Sequence, residues 1–406
     1  MPRPVLCVEA FRVEVARETN GGKRVQGLTL IGSGWHPALF RSEAEALAGP
    51  IGLVHPRIVV TESNGLETLQ RLSRAALLDD VLLRGQNSAP IDAESIAEKI
   101  AFWAIENLPD GSFAIRPRGL GQGIDGLSKT AIAQTAGGLI SSPNHPVDLE
   151  NPEREILIVL AAPEDPPDHP GPLADSPARI VWGLRHPDWQ RPDYAGRSPT
   201  DRPFFQPVSL DPRLARLLIS LGHRTDFTPT TVIDPFCGTG GIVIEGMLAG
   251  LNILASDLDG RMVAGTTRNL TWAAKNSAEV AWDVQEMNVG MIPDLWGKVS
   301  GAIFAFDPPY GRNAWKSDDG FQLLLKACSA ARSIDDTGSL CTLLPTEPTI
   351  FEKTRDPDAP DPLVMGLPWV EVADQMLERG WRVVLTAPVK VHRSLARLLV
   401  VCHPSH

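Results

Sequence analysis

Asp234-Pro235-Phe236-Cys237-Gly238-Thr239-Gly240-Gly241 is the stretch on which the reading of this chain turns. It follows an apolar, strand-like run at 231–233 and opens into a helical pattern at 241–249, so it is a strand-to-helix turn. Glycines there let the backbone approach a ligand that a side chain would hold off. The spacing departs from a dinucleotide loop, because the third small residue of that fingerprint falls on Val243. Asp234 ends the strand with a carboxylate suited to a cationic group, such as the ammonium of a bound amino acid. Asp257, at the end of the next strand-like run (252–256), can accept hydrogen bonds from ribose hydroxyls. Taken alone, the loop is also compatible with a plain tight turn closed by a capping acid.

Outward from this turn, strand and helix signals alternate. Asp211 is placed to cap a helix over 212–221 that has proline at its first position. A helix over 260–275, a strand near 280 and a strand over 302–306 follow, then strands over 340–344, 381–387 and 395–401. This alternation predicts an α/β fold with a mainly parallel sheet and helices on both faces. In such sheets ligands sit at the carboxyl ends of the strands. Upstream, strand-like runs at 5–15, 58–60, 112–115 and 156–160 mix with helix-like runs at 44–47, 66–78, 93–106 and 128–139, which indicates α+β structure. The segment 163–172, PEDPPDHPGP, reads as a linker, because proline removes backbone donors and fixes φ.

A second motif, Asp307-Pro308-Pro309-Tyr310-Gly311, follows the strand over 302–306 and so stands at the same edge as the glycine turn. Its residue types suit an aromatic exocyclic amine, whose lone pair is delocalised into the ring. Asp307 and the Pro308 carbonyl can both accept N–H hydrogen bonds and favour a tetrahedral nitrogen. Pro308 and Pro309 stiffen the turn that aims the carbonyl. Tyr310, one of two tyrosines in the chain, can stack on a base that is unpaired or swung out of its helix. Asp307 or a water takes the departing proton.

The composition bounds the rest. The chain has 406 residues, 43% of them hydrophobic and 21% charged, as in a soluble protein of two or three domains. No apolar run is long enough for a bilayer span, so a cytoplasmic protein without membrane attachment is expected. Five scattered cysteines without CxxC spacing argue against a disulfide framework or a zinc site, and no metal is expected. The net charge of -11 disfavours a nucleic-acid partner overall. Local charge differs: residues 179–224 hold eight arginines against four aspartates, and 377–397 hold four arginines and a lysine against one glutamate. Solvated surface and an anionic partner remain alternatives for both stretches.

DPFCGTGG followed by ILASDLD (253–259) resembles the cofactor loop and ribose acid of class I S-adenosylmethionine-dependent methyltransferases, particularly the RNA N2-guanine group. The resemblance implies a Rossmann-like, seven-stranded α/β domain. It also implies that Asp234, Phe236, Gly238, Gly240, Gly241 and Asp257 bind S-adenosyl-L-methionine, with Leu258 against adenine. Asn288 falls where the family has an acid for the adenine amine, and its amide oxygen is a neutral substitute. The stretch 197–210, RSPTDRPFFQPVSL, resembles the segment before the catalytic core of tRNA guanosine-10 N2-methyltransferases, which implies that Phe205, Pro207 and Ser209 lie near the methionine part of the cofactor. Residues 391–397 look like the family's closing strand, with His392 a structural or surface histidine.

Upstream, SFAIR (112–116) and VDLENPE (147–153) are similar to a THUMP domain, an RNA-binding module that the family places after a small ferredoxin-like unit. The implied organisation is a ferredoxin-like unit over 1–86, a THUMP-like domain over 87–163, a Pro-rich linker over 164–196 and the methyltransferase domain over 197–406. The implied partner is tRNA, met by Arg116, Arg118, Arg197, Arg202, Arg312 and Arg393; some relatives also need a small activator subunit. The expected activity is methylation of guanosine N2 at position 10 of tRNA, giving N2-methylguanosine or N2,N2-dimethylguanosine. Two alternatives stand beside it. One is adenine-N6 methylation of DNA or RNA, since DPPY also serves that amine; the other is a catalytically silent RNA-binding subunit.

Overall fold

The computed structural model describes residues 27–164, 177–207, 209–277, 279–309, 318–350, 361–392 and 395–405. These form two compact units, one from residues 27–73 and 77–192 and the other from residues 74–76 and 193–405. The expected strand at 5–15 and most of the proline-rich segment lie outside the described residues. Among the described residues no helix is long and apolar enough to cross a membrane.

The first unit contains β1 (Thr29–Gly32), α1 (Pro37–Ala48), β2 (Ile51–His55), β3 (Ile58–Thr61), α2 (Leu66–Leu72), β4 (Leu78–Ser88), α3 (Ala93–Asn107), β5 (Phe113–Leu120), α4 (Lys129–Ile140), β6 (Arg154–Ala161) and β7 (Arg179–Arg185). The seven strands make one sheet in the order β2-β3-β1-β4-β7-β6-β5, antiparallel except for the β5–β6 pair. Asp92 and Ser128 cap α3 and α4 by accepting hydrogen bonds from the backbone N–H groups of Ser95 and Ala131. The two helices bury Ile96, Ile100, Trp103 and Ile132 against Phe113, Ile156, Ile158 and Trp182.

Three expectations are corrected here. The helical run at 66–78 ends at Leu72, and Leu78 opens β4; an apolar run alone cannot separate helix from strand. The expected boundary at residue 86 falls inside β4, whose first half pairs with β1 and second half with β7, the register shifting between Leu83 and Gln86. The expected linker over 164–196 contains β7, which sits between β4 and β6 in the sheet. Its apolar core, Ile180 to Leu184, is buried between partners distant in sequence.

The second unit is the doubly wound one. It runs α5 (Pro212–Leu221), β8 (Thr231–Asp234), α6 (Gly241–Leu248), β9 (Asn252–Asp257), α7 (Gly260–Ala273), β10 (Trp282–Glu286), α8 (Ile292–Trp296), β11 (Ala302–Phe306), α9 (Asp318–Ile334) and β12 (Ser339–Thr346). Then follow the two-residue strands β13 (Leu363–Val364) and β14 (Leu367–Pro368), α10 (Trp369–Glu378), β15 (Trp381–His392) and β16 (Leu395–Pro404). The seven main strands lie in the order β10-β9-β8-β11-β12-β16-β15, with the β13–β14 hairpin as an addition at the end of β12. The first five are parallel, and β16 enters antiparallel between β12 and β15. This arrangement is the class I methyltransferase sheet that the resemblance implies.

Position in the sheet follows from burial. β8, β11 and β12 are buried along their whole length, as central parallel strands covered on both faces must be. Trp381 fixes the antiparallel end: it is fully buried, its ring meets Phe304 edge-on at 6.1 Å between centroids, and its indole N–H donates to the Cys328 carbonyl at 2.8 Å. The chain winds from β8 outward through β9 to β10, then crosses to begin again at β11 on the other side of β8. The winding direction therefore reverses between β8 and β11, which opens a crevice at their carboxyl ends.

Candidate active site

Because β8 and β11 are parallel neighbours, the turns that begin at Asp234 and Asp307 leave the sheet at the same end. A cavity of about 530 Å³ lies there, lined from both turns. From the β8 side come Asp234, Phe236, Gly238, Thr239 and Gly241; from the β9 side Asp257 and Leu258; from the β11 side Asp307, Pro308 and Pro309. Asn288 and Ser209 also line it.

The glycine turn is held by backbone geometry that other residues resist. Gly238 and Gly240 have φ of 51° and 81°, in the left-handed region. A Cβ on Gly240 would in addition press on Thr266 at 3.1 Å, the residue whose hydroxyl donates to the Gly238 carbonyl at 2.8 Å. The Gly240 N–H donates to the Cys237 carbonyl at 2.7 Å and so closes the turn. Gly240 shapes the loop, whereas Gly238 and Gly241 reach the cavity wall.

The acids differ in their partners. Asp234 is 1% exposed and accepts the Phe236 N–H at 3.0 Å. Burial pushes its carboxyl well above the usual range, and the nearby Asp257 and Asp307 push the same way. Asp257 accepts the N–H groups of Gly238 and Asp259, each at 2.9 Å, and thereby ties the end of β9 to the glycine turn. Asp307 is raised to about 6 by burial, opposed by Arg397, whose Nε lies 3.5 Å from its Oδ1. Behind them Phe236 and Phe306 meet edge-on at 5.6 Å between centroids, joining the two turns by an apolar contact.

Of the other expected residues, Leu258 projects with 71% exposure and offers an apolar face at the cavity mouth. The Asn288 amide oxygen accepts the Gly290 N–H at 3.0 Å, so it serves the local backbone as well as the cavity. In the stretch before α5, Ser209 reaches the cavity, with its hydroxyl 2.9 Å from that of Thr239; Phe205 and Pro207 stand outside the lining. Tyr310, Arg312 and Arg393 lie outside the described residues.

The expected RNA-facing arginines have internal partners. Arg202 is 5% exposed and donates to the Arg197 carbonyl, and Arg197 itself approaches the fully buried Glu245 at 3.2 Å. Arg202 is buried and Arg197 half-buried, so both are engaged within the protein. Arg116 pairs with Glu155 at 2.7 Å, and Arg118 pairs with Asp79 and Asp80.

Sequence reasoning passed over Gln206, Asn269 and Arg397. Gln206 lines the cavity. Asn269, fully buried on α7, accepts the Phe204 N–H and donates to the carbonyls of Phe204 and Thr239, which pins the preceding segment to the glycine turn. Nothing local marks Asn269. Arg397 does leave a signal, as the single charge in the apolar run LARLLVV.

A switch-point crevice, a glycine turn between two strand-end acids and a third acid opposite them define a class I methyltransferase, which takes its methyl group from S-adenosylmethionine. The donor set fits that cofactor: Asp234 is a buried acid with no side-chain counter-charge against it among the described residues, and the glycine turn leaves room for a ligand against the backbone. Residues 199–357 match the family model described as an RMKL-like methyltransferase domain. The chain is 30% identical over 269 residues to the tRNA (guanine(10)-N2)-dimethyltransferase of Methanothermobacter thermautotrophicus, covering 62% of this chain and 72% of that one. It is 26% identical over 317 residues to the enzyme of the same name from Pyrococcus abyssi, covering 77% and 86%. A solved structure, TrmN from Thermus thermophilus, aligns over 93% of this chain and 99% of that one at 17% identity, with a TM-score of 0.46. The chain belongs to the tRNA (guanine(10)-N2)-dimethyltransferase family.

Proposed function

We propose that this protein transfers methyl groups from S-adenosylmethionine to the exocyclic N2 amine of guanosine 10 in tRNA, first to N2-methylguanosine and then to N2,N2-dimethylguanosine, in the cytoplasm. The observation that carries the reading is the single cavity walled by both the Asp234 turn and the Asp307 turn. Family membership supplies the acceptor.

In this reading Asp234 meets the cationic amino-acid end of the cofactor, Asp257 its ribose and Leu258 its base. When bound, the cofactor supplies a methyl group already activated by its sulfonium. The protein's task is therefore to position the amine and manage one proton. Asp307 and the Pro308 carbonyl accept the two N–H bonds of the amine, which turns its lone pair toward the methyl carbon. The bound cofactor would supply the methyl carbon for the new carbon–nitrogen bond and give up its carbon–sulfur bond, and the amine would release one proton. With its carboxyl at about 6, Asp307 is mostly ionised at neutral pH and still basic enough to hold that proton before water removes it. Tyr310 stacks on the base. The part of the first unit built from α3, α4, β5, β6 and β7 acts as the THUMP-like RNA-binding part.

The test is mass spectrometry of nucleosides from unmodified tRNA incubated with the purified protein and S-adenosylmethionine. Methylated guanosine mapped to position 10 is the expected product. Label found only in adenosine would replace the proposal with the N6 reading, and cofactor binding without any transfer would leave a silent RNA-binding subunit.

A further inference from the structure

We infer that Arg397 is a positioning residue for the methyl transfer: reaching from β16 across β12, its guanidinium turns Asp307 into the cavity and holds it as a carboxylate. The inference rests on the proposed role of Asp307 as acceptor of the amine N–H.

The geometry begins with the strand. Ala396 and Leu398 are fully buried on one side of β16, so Arg397 between them points to the other face, where it is opposite Pro345 of β12. An arginine inside a buried apolar strand is disfavoured unless its charge is met. Here it is met by Asp307, with Nε 3.5 Å from Oδ1, and both side chains line the cavity.

The surroundings give that contact its consequence. Four carboxylates line the cavity: Asp234 at the end of β8, Asp257 at the end of β9, Asp259 just beyond it, and Asp307. Asp259 is exposed to solvent at the rim and is neutralised by Arg261 at 2.7 Å. Asp234 and Asp257 have backbone donors. Among the described lining residues Arg397 is the one cation, so burial pushes the Asp307 carboxyl up and Arg397 opposes it. Burial already lifts Asp307 to about 6 with the arginine in place. Without it, the carboxyl moves further up and enters the neutral range protonated, when it donates to the amine where it should accept.

The distance also fits a positioning role. A pair at 3.5 Å is longer than a charge-assisted hydrogen bond, so Arg397 restrains the carboxylate without saturating it. Oxygen lone pairs remain for an incoming N–H. Arg397 is not assigned to touch the base or the cofactor.

The test compares the full-length protein with Arg397→Gln and Arg397→Lys, using pH profiles of single-turnover methyl transfer to tRNA and calorimetry with S-adenosylmethionine. In Arg397→Gln the acid limb of the profile should move at least one unit toward alkaline pH. The rate at pH 7 should then fall at least about twofold, to about tenfold for a shift of two units, and recover at higher pH, with cofactor affinity unchanged. Arg397→Lys should keep most of the wild-type limb, because it restores the charge. A loss of rate that is the same at every pH, or an unmoved limb in Arg397→Gln, overturns the inference. The carboxyl carbon of Asp307, assigned by its absence in Asp307→Asn and followed by NMR without tRNA, gives a readout independent of the acceptor. Its midpoint should rise in Arg397→Gln and return toward wild type in Arg397→Lys. An unchanged midpoint sinks the role of Arg397, whereas a shifted midpoint in a protein that never methylates guanosine sinks only the functional reading.

Discussion

The two sheets treat buried acids in opposite ways. In the first unit, Asp79 and Asp80 on β4 and Glu155 on β6 are all engaged by guanidiniums: Asp80 by Arg118 at 2.7 Å and Arg185 at 2.8 Å, Glu155 by Arg116 and Arg185 at 2.7 Å, Asp79 by Arg118 and Arg191. In the second unit, Asp234 and Asp257 accept backbone N–H groups, and Asp307 has a guanidinium at 3.5 Å. The first cluster is nearly self-neutralised, and its charges hold four strands, β4 to β7, together. In the second, Asp234 and Asp257 are met at the cavity by backbone N–H groups and not by a guanidinium among the described residues, which lowers stability but leaves them available to a cationic ligand.

The contrast is broken most severely by removing the acid that is proposed to meet the amine. Asp307→Ala should reduce the rate of methyl transfer by a factor on the order of 10² to 10⁴, the usual range for a positioned hydrogen-bond acceptor or base. S-adenosylmethionine affinity should be retained, since Asp234 and Asp257 are untouched. Single-turnover assays beside calorimetry check both. A variant that turns over at a normal rate removes Asp307 from the mechanism.

The next largest effect should come from the neutralised cluster. Asp80→Asn leaves Arg118 and Arg185 facing each other and Glu155 with too little negative charge, so the first unit should lose about 2–3 kcal/mol of stability. The expectation lies below the range for fully buried pairs because both guanidiniums are partly exposed. Cofactor affinity should not change, as Asp80 does not line the cavity. Urea unfolding measures the first quantity. Unaltered stability would mean that the cluster is as dispensable as an ordinary surface ion pair.

The same contrast marks what could be read in the sequence. The glycine turn, Asp257 and the Asp-Pro-Pro turn were legible because each is a local demand: a left-handed backbone, an acid ending an apolar strand, a stiffened turn. The cavity follows from two such turns after parallel strands. The pairing of Arg118 with Asp80 and of Arg397 with Asp307 was not legible, since both join residues far apart in the chain. Counting arginines between 179 and 224 left solvated surface and an anionic partner as alternatives, and did not show that Arg185, Arg197 and Arg202 are engaged by carboxylates or carbonyls of the protein itself. Charge counts do not see partners. β7 was hidden for a related reason: its short apolar run lies beside a proline-rich stretch, and only β4 and β6 make it a strand.

The smallest effect is the most discriminating, because its sign should be the reverse of that at Asp80. Asp234→Asn is the same chemical change, but here the lost charge has no guanidinium to abandon, and the Asn oxygen can still accept the Phe236 N–H. The folded-state value of Asp234 lies well above its ordinary 3.8, so below that value both folded and unfolded chains carry the proton and the acid costs nothing. As the pH rises above 3.8 the unfolded chain ionises first, and the wild-type protein loses stability up to the folded-state value. The ligand-free Asn variant should therefore be more stable than wild type at neutral pH, by about 1–2 kcal/mol, with the gain shrinking toward acid. It should also fail to bind S-adenosylmethionine. Thermal unfolding of both proteins at acid and neutral pH measures the difference. If Asp234→Asn is destabilised at neutral pH as Asp80→Asn is, Asp234 is an ordinary structural acid and the division between the two sheets does not hold.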